Sequence, residues 1–307
     1  MVCNDTEELR CDHEEADTRM IAHARHASQF YSSIMIKSPD TDVFLIALNA
    51  CLDIHADIYF ETGTGNGRRI ISLSKIRHSL GDQWCSSLLG LHAFTGCDTT
   101  SAFYGKGKVT ALKIARMKEK YADLFWNVGR EATASTPLKE GLYGYVCHLY
   151  GFEECSDVNS VRFQIFKGGK YDEESMPPNQ DSLDQHVSRA NYQCYIWRHA
   201  SQPLLNMEPF CNHGWKLDDC GNVLVDWMTI PPAPDSVLEF ANCKCKKACQ
   251  NNRCSCLKAK LKCSDLCKCI GCKNNNGNVD GNDENDSDTY DRDEQDHTSS
   301  DISEDEY

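Results

Sequence analysis

The sequence predicts an α/β body, a mainly helical segment after it, and a small domain built on cysteine. Three observations carry this expectation. Short apolar runs alternate with amphipathic stretches through the first 125 residues, the order in which strands and helices succeed one another. Residues 126–240 hold long amphipathic stretches and few strand patterns. Nine of the 19 cysteines then crowd into residues 243–272. The expected organisation is a first domain over 1–125, a mixed, mainly helical region over 126–240, the cysteine domain over 241–274 and an acidic tail over 275–307.

Glu14–Ser28 predicts a helix with acids in its first turn, where the helix dipole favours them. Ser33–Lys37 predicts a short strand, Ser38-Pro39 a turn, and Val43–Cys51 a second apolar run. Asp57–Glu61 and Arg69–Ser72 predict two strands joined by a hairpin turn at GTGNG (63–67). Ser74–Gly81 and Trp84–Thr95 follow as helices, and GKGK (105–108) leads into a helix over Val109–Lys120. Farther on, Leu142–Tyr150 reads as helical, Val161–Phe166 alternates, and Leu183–Trp197 has the pattern of an amphipathic helix. Pro177-Pro178 and the prolines at 231, 232 and 234 punctuate the ends.

Charge is unevenly spread along the chain. The total is −14, yet residues 243–273 hold nine lysines and arginines against Asp265 alone. A whole-chain pI near 5.2 conceals that basic segment. Thirteen acids face one arginine over 274–307, a segment rich in Asn, Asp and Ser that is expected to be disordered, with Ser299, Ser300 and Ser303 among the acids. No apolar run approaches the ~20 residues of a membrane span, so no membrane partner is expected. The other ten cysteines are scattered and no hydrophobic signal segment precedes Leu9, which suits a reducing compartment.

The crowded cysteines are Cys243, Cys245, Cys249, Cys254, Cys256, Cys263, Cys267, Cys269 and Cys272, in the order C-x-C-x3-C-x4-C-x-C-x6-C-x3-C-x-C-x2-C. Disulfides suit them poorly, because the count is odd and adjacent C-x-C pairs cannot bridge each other. Thiolates at such spacings suit Zn²⁺, which takes four ligands. Two ions would use eight sulfurs and leave one over; three would use all nine with three sulfurs bridging, which the odd count favours. Lys244, Lys246, Lys247, Arg253, Lys258, Lys260 and Lys262 surround the thiols. They either neutralise the thiolates or make a footprint for nucleic-acid phosphate, with Arg253 placed to reach into a groove.

The stretches CQNNRCSC (249–256) and CKCIGCKNN (267–275), with the six-residue spacer, resemble the CXC domain of tesmin-like and male-specific-lethal type chromatin proteins. That resemblance covers about a tenth of the chain. It implies a three-zinc, nine-cysteine cluster that binds DNA, a nuclear location, and chromatin proteins as further partners.

Acids recur at element ends in the first 125 residues. Asp40 and Asp42 flank Thr41, where an extended backbone would aim both side chains the same way. Glu14, Glu15 and Asp17 crowd a helix start, and Asp98 closes TGCD (95–98). Converging carboxylates of this kind hold Mg²⁺ or Mn²⁺; singly, each reads as a helix cap or a turn. The order EAD (15–17), DTD (40–42), hairpin, GCD (96–98) and GKG (105–107) resembles the PIN-like core of flap endonucleases over roughly residues 13–120. It implies a helix–hairpin–helix, with Glu15, Asp17, Asp40, Asp42 and Asp98 as metal ligands and Lys106 and Lys108 offered to DNA phosphate. Helix geometry alone would pair Glu14 with Asp17, three residues apart.

Nucleases of that type carry a first metal carboxylate on a strand well before this helix, and only about a dozen residues precede His13. The body is therefore expected to be a partial PIN-like domain. His186, Cys194, His199, Cys211, His213 and Cys220 are spaced irregularly, as core or surface residues are. HGW (213–215) through PPAPDSVLEF (231–240) into the cysteine domain resembles multicopy animal proteins that join such a body to a CXC tail and look derived from mobile elements. The function expected is zinc-dependent DNA binding. An active Mg²⁺- or Mn²⁺-dependent structure-specific endonuclease and a non-catalytic chromatin or transcription factor stand as alternatives.

Overall fold

The computed structural model describes residues 9–168, 175–205, 207–230, 242–263 and 267–274. The acidic tail with its serines, and PPAPDSVLEF (231–240), lie outside the described residues. The chain divides into two units, Met1–Ala233 and Pro234–Tyr307.

The first unit opens with α1 (Ala16–Ala27), β1 (Ser33–Lys37), α2 (Thr41–Ala50), β2 (Asp57–Thr62) and β3 (Arg69–Ser72). The helices α3 (Leu73–Leu80), α4 (Asp82–Phe94), α5 (Lys108–Met117), α6 (Glu119–Asn127), α7 (Thr136–Leu149), α8 (Val158–Gly168) and α9 (Gln180–Arg198) follow. A small antiparallel hairpin, β4 (Trp215–Leu217) with β5 (Val223–Val225), closes the described part of the unit. β1 and β2 are parallel with α2 as their crossover, Ile36 opposite Phe60; β3 returns antiparallel, with Ile71 opposite Phe60.

α4 is the hub. Nine of its residues, from Cys85 to Phe94, are buried around most of its circumference, as befits a helix enclosed by others. Gly90 is required where α6 passes: a Cβ there would stand 2.2 Å from the Phe125 carbonyl oxygen. One core runs across residue 125, with Phe125 edge-on to Tyr145 at 4.7 Å and 6.0 Å from Phe94. Arg198, at the end of α9, ties the neighbouring helices. Its Nε donates to the Val128 carbonyl (2.8 Å), Nη2 to those of Trp126 (3.1 Å) and Ser86 (3.2 Å), and Nη1 to Asn49 Oδ1 (3.2 Å) and Ser86 Oγ.

Four local expectations are corrected. The apolar run Val43–Cys51 is helix, because Val43, Ile46, Ala47 and Ala50 recur at helical spacing and Asp40 caps the start, its Oδ1 accepting from the Asp42 amide at 2.9 Å. Asp42 thus stands in a first turn and not on an extended backbone. Val161–Phe166 is also helical, within α8, where Val158, Val161 and Ile165 share the buried face. The helix expected over Val109–Lys120 is two helices, broken at Lys118, whose backbone is extended (φ −132°, ψ 126°). α1 starts at Ala16 and not at Glu14, because Glu15 takes the extended N-cap conformation (φ −80°, ψ 135°).

Candidate metal centre

In the second unit the buried core consists of Cys243, Cys249, Cys254, Cys256 and Cys263, with Cys245, Cys267, Cys269, Cys272 and Leu257 packed around them. Among the described residues, Leu257 is the sole apolar side chain of that core that is not cysteine. One short helix, α10 (Ser255–Lys258), presents Cys256 and leaves Cys254 as its N-cap. Lys260 follows in the left-handed region (φ 60°), turning the chain back. Long-range links are few: Lys268 N to the Cys243 carbonyl (3.0 Å), Cys263 N to the Asn274 carbonyl (2.8 Å), and Ser255 Oγ to the Asn242 carbonyl (2.8 Å).

The sulfurs are gathered closely. Cys256 and Cys267 Sγ lie 3.5 Å apart, Cys243 and Cys249 3.6 Å, Cys254 and Cys263 3.8 Å, and Cys243 and Cys263 4.0 Å. Four overlapping groups of four have every sulfur within 4.8 Å of the others: 243/245/249/254, 243/254/256/263, 243/263/267/269 and 249/263/269/272. Together they use all nine cysteines, and Cys243 and Cys263 each belong to three. None of the described cysteines is in a disulfide.

Amides point at this sulfur. Cys243 N donates to Cys267 Sγ (3.4 Å), Asn274 N to Cys272 Sγ (3.3 Å) and the buried Asn274 Nδ2 to Cys263 Sγ (3.4 Å). Such bonds commonly support metal-bound thiolates from outside the coordination sphere. As bare thiolates the packing is uncomfortable. Burial, and then the neighbouring Cys267 sulfur, pushes the Cys256 thiol up to about 12, and burial drives Cys249 and Cys263 up as well. A divalent cation held by four of these sulfurs removes that penalty, because its ligand is the thiolate. The donor set fits zinc. Around it Lys244, Lys246, Lys247, Arg253, Lys258, Lys260 and Lys262 are all exposed.

In the first unit the charges of four of the candidate acids reach the fifth. Asp17, in the first turn of α1, has its carboxyl raised by burial first and then by Asp40, Glu15, Asp42 and Asp98. Glu15 stands at the N-cap of α1 with an extended backbone, and its charge reaches Asp17, while that of Glu14 reaches Tyr192. Asp98 is at the tip of a turn bridged by Cys97 and Thr100, and the turn needs Gly96 (φ 109°), where a Cβ would meet Ala102 at 2.8 Å. The convergence is loose: among the described residues, the groups whose ligand atoms all lie within 4.8 Å are made of cysteine.

Three supports of this cluster escaped sequence reasoning. Gln193 Nε2 (3.2 Å) and Trp197 Nε1 (3.2 Å) of α9 donate to the Glu15 carboxylate, and the buried His92 Nε2 lies 2.7 Å from Asp42 Oδ1. Gln193 and Trp197 are four residues apart on one helix face, yet nothing in the sequence says which face meets α1. The two candidate lysines are otherwise employed. Lys108 Nζ donates to the carbonyls of His92 (3.0 Å) and Gly96 at the end of α4, and Lys106 Nζ sits 4.5 Å over the Tyr150 ring. His186 is core, donating to the Phe94 carbonyl (2.8 Å) with its pKa lowered by burial to about 4. Cys194 is core too, and His213 stacks on Tyr192 at 4.4 Å.

Similarity to known proteins is confined to a short stretch. The chain is 44% identical over 48 residues to protein lin-54 homolog of Drosophila melanogaster, covering 15% of this chain and 5% of that protein. It is 58% identical over 33 residues to the proteins of the same name in Homo sapiens and Mus musculus, covering 10% of this chain and 4% of theirs. The chain therefore spans only a small fraction of the length of these relatives. No protein-family model matches it, and no solved structure matches it. With the sulfur geometry, the short match supports a CXC-like zinc domain toward the C-terminus.

Proposed function

We propose that the second unit is a trinuclear zinc–thiolate module that binds DNA, and that the chain acts in the nucleus, on DNA or with chromatin proteins. The observation that carries this is a core that, among the described residues, consists of cysteine with Leu257 packed beside it. With no apolar side chain but Leu257 in that core among the described residues, the unit would gain its folding free energy from the metal, for which about 10–16 kcal/mol is typical of a structural zinc site. Cys243, Cys254 and Cys263 are mutually within 4.8 Å and at most 5% exposed, and we assign them as the bridges. One ion then takes Cys243, Cys245, Cys249 and Cys254. We assign a second to Cys254, Cys256, Cys263 and Cys267 and a third to Cys243, Cys263, Cys269 and Cys272, sets that each share three sulfurs with one of the four-sulfur groups. Six positive charges against nine thiolates leave the surrounding lysines and Arg253 in excess, the polarity a phosphate backbone requires.

Duplex binding tests the reading. The zinc-loaded chain should bind duplex DNA with an affinity that falls steeply with salt, and a chelator should abolish it. Equal affinity before and after chelation would refute the module's role.

A second reading applies to the first unit, a partial PIN-like body of mobile-element origin with a helix–hairpin–helix about GKG (105–107). The observation favouring it is the convergence on Asp17, whose carboxyl is raised first by burial and then by Asp40, Glu15, Asp42 and Asp98. Glu15, Asp17, Asp40, Asp42 and Asp98 would hold Mg²⁺ or Mn²⁺, which supplies an activated water and charge neutralisation for phosphodiester hydrolysis. His92 positions Asp42, and Gln193 with Trp197 position Glu15. Cleavage of flap, gapped or single-stranded DNA that disappears in Asp40→Asn would establish it. Binding without cleavage would leave the chain a non-catalytic factor.

A further inference from the structure

We propose that Lys108 is a positioning residue of the acid cluster. Its ammonium fastens the segment that leads into Asp98 to the end of α4, and so fixes where Asp98 stands relative to Asp42. The role rests on the second reading above, in which the five acids hold a divalent metal. Lys108 Nζ donates to the carbonyl oxygens of His92 (3.0 Å) and Gly96 and to Thr95 Oγ1 (3.3 Å). Gly96 lies two residues before Asp98. His92 is buried, and its Nε2 lies 2.7 Å from Asp42 Oδ1. One ammonium therefore bonds both the residue that holds Asp42 and the backbone that leads to Asp98. The turn is tied to the same helix farther on, where Thr100 Oγ1 donates to the Ala93 carbonyl (2.8 Å) and Cys97 N to the Thr100 carbonyl (3.2 Å).

Lys108 is out of place in its own helix. It opens α5, whose first turn holds no acid, and a positive charge there opposes the helix dipole. A lysine that merely capped α4 would meet the negative end of that helix and go no farther. Lys108 reaches past the C-cap, Thr95, to the Gly96 carbonyl, and the charge of Asp42 reaches its ammonium. Hydrogen bonds from a charged donor are the stronger kind, so three of them from one ammonium make a firm clamp. Much of the residue is exposed, so replacing it opens no cavity.

The test follows Mn²⁺ binding to the full zinc-loaded chain by paramagnetic resonance, counting the tight ions that Asp98→Asn loses. Lys108→Met should weaken that binding roughly tenfold or more, as loss of a partner behind a metal ligand does. Lys108→Arg, which keeps the charge and the donors, should restore most of it, and Lys106→Met should change nothing. The direction decides between two roles: were Lys108 only a neighbouring charge, removing it would tighten Mn²⁺ binding. Hydrogen exchange without Mn²⁺ reads the clamp by itself. Amides of residues 95–101 should exchange roughly tenfold faster in Lys108→Met, the effect of losing a hydrogen bond from a charged group. Exchange unchanged in Lys108→Met, or Mn²⁺ binding that is unchanged or tighter, would overturn the role of Lys108 even where the parent chain binds Mn²⁺. A parent chain without tight Mn²⁺ would overturn the metal-site reading instead, and faster exchange in Lys108→Met would still establish the clamp.

Discussion

Replacing Cys243 and Cys245 separately by serine distinguishes a bridged cluster from independent sites. Cys243 is 1% exposed and belongs to three of the four-sulfur groups, whereas Cys245 is half-buried and belongs to one. If a structural site of four ligands is worth about 10–16 kcal/mol, each thiolate accounts for roughly 3 kcal/mol, or about a hundredfold in affinity. Cys245→Ser weakens one ion by that factor; Cys243→Ser weakens two and removes the link between them. Titration against a chromophoric chelator reads the outcome directly. At a chelator concentration that leaves the parent intact, Cys245→Ser should surrender one zinc and Cys243→Ser at least two. Equal losses in the two variants, or a larger loss from Cys245→Ser, would refute the bridging assignment.

Further predictions concern both units. Arg253→Ala should weaken duplex binding by about 1–3 kcal/mol without changing the zinc content. A raised carboxyl such as Asp17 is a liability once ionised: it adds stability below the unfolded-state pKa, and that contribution is lost as pH rises through the folded-state value. Asp17→Asn should therefore raise the melting temperature at pH 7, the gain disappearing below about pH 4, and added Mn²⁺ should narrow the gap if the acids bind it. Arg198→Met strips donors from the carbonyls of Ser86, Trp126 and Val128 and should cost about 2–4 kcal/mol in denaturant unfolding.

Strands were legible where alternation and turn chemistry agreed. β1 and β3 begin and end at the residues their patterns mark, Ser33–Lys37 and Arg69–Ser72. α2 was not, because a helix buried on most sides reads as a continuous apolar run, as a buried strand does; only the 43, 46, 47, 50 spacing separates them. The break at Lys118 has no glycine or proline to announce it. The cysteine cluster was open to sequence reasoning because its ligands are adjacent in the chain. The acids' supports were hidden because Gln193 and Trp197 reach Glu15 across more than 170 residues, through the packing of α9. Lys106 and Lys108 show the converse: their place in a Gly-x-Gly turn suggested phosphate, while the fold spends them on Tyr150 and on the end of α4.

The most direct measurement is elemental analysis of zinc in the purified chain. Nine thiolates sharing ions through Cys243, Cys254 and Cys263 should hold three zinc per chain. A content below two would contradict a metal-built core.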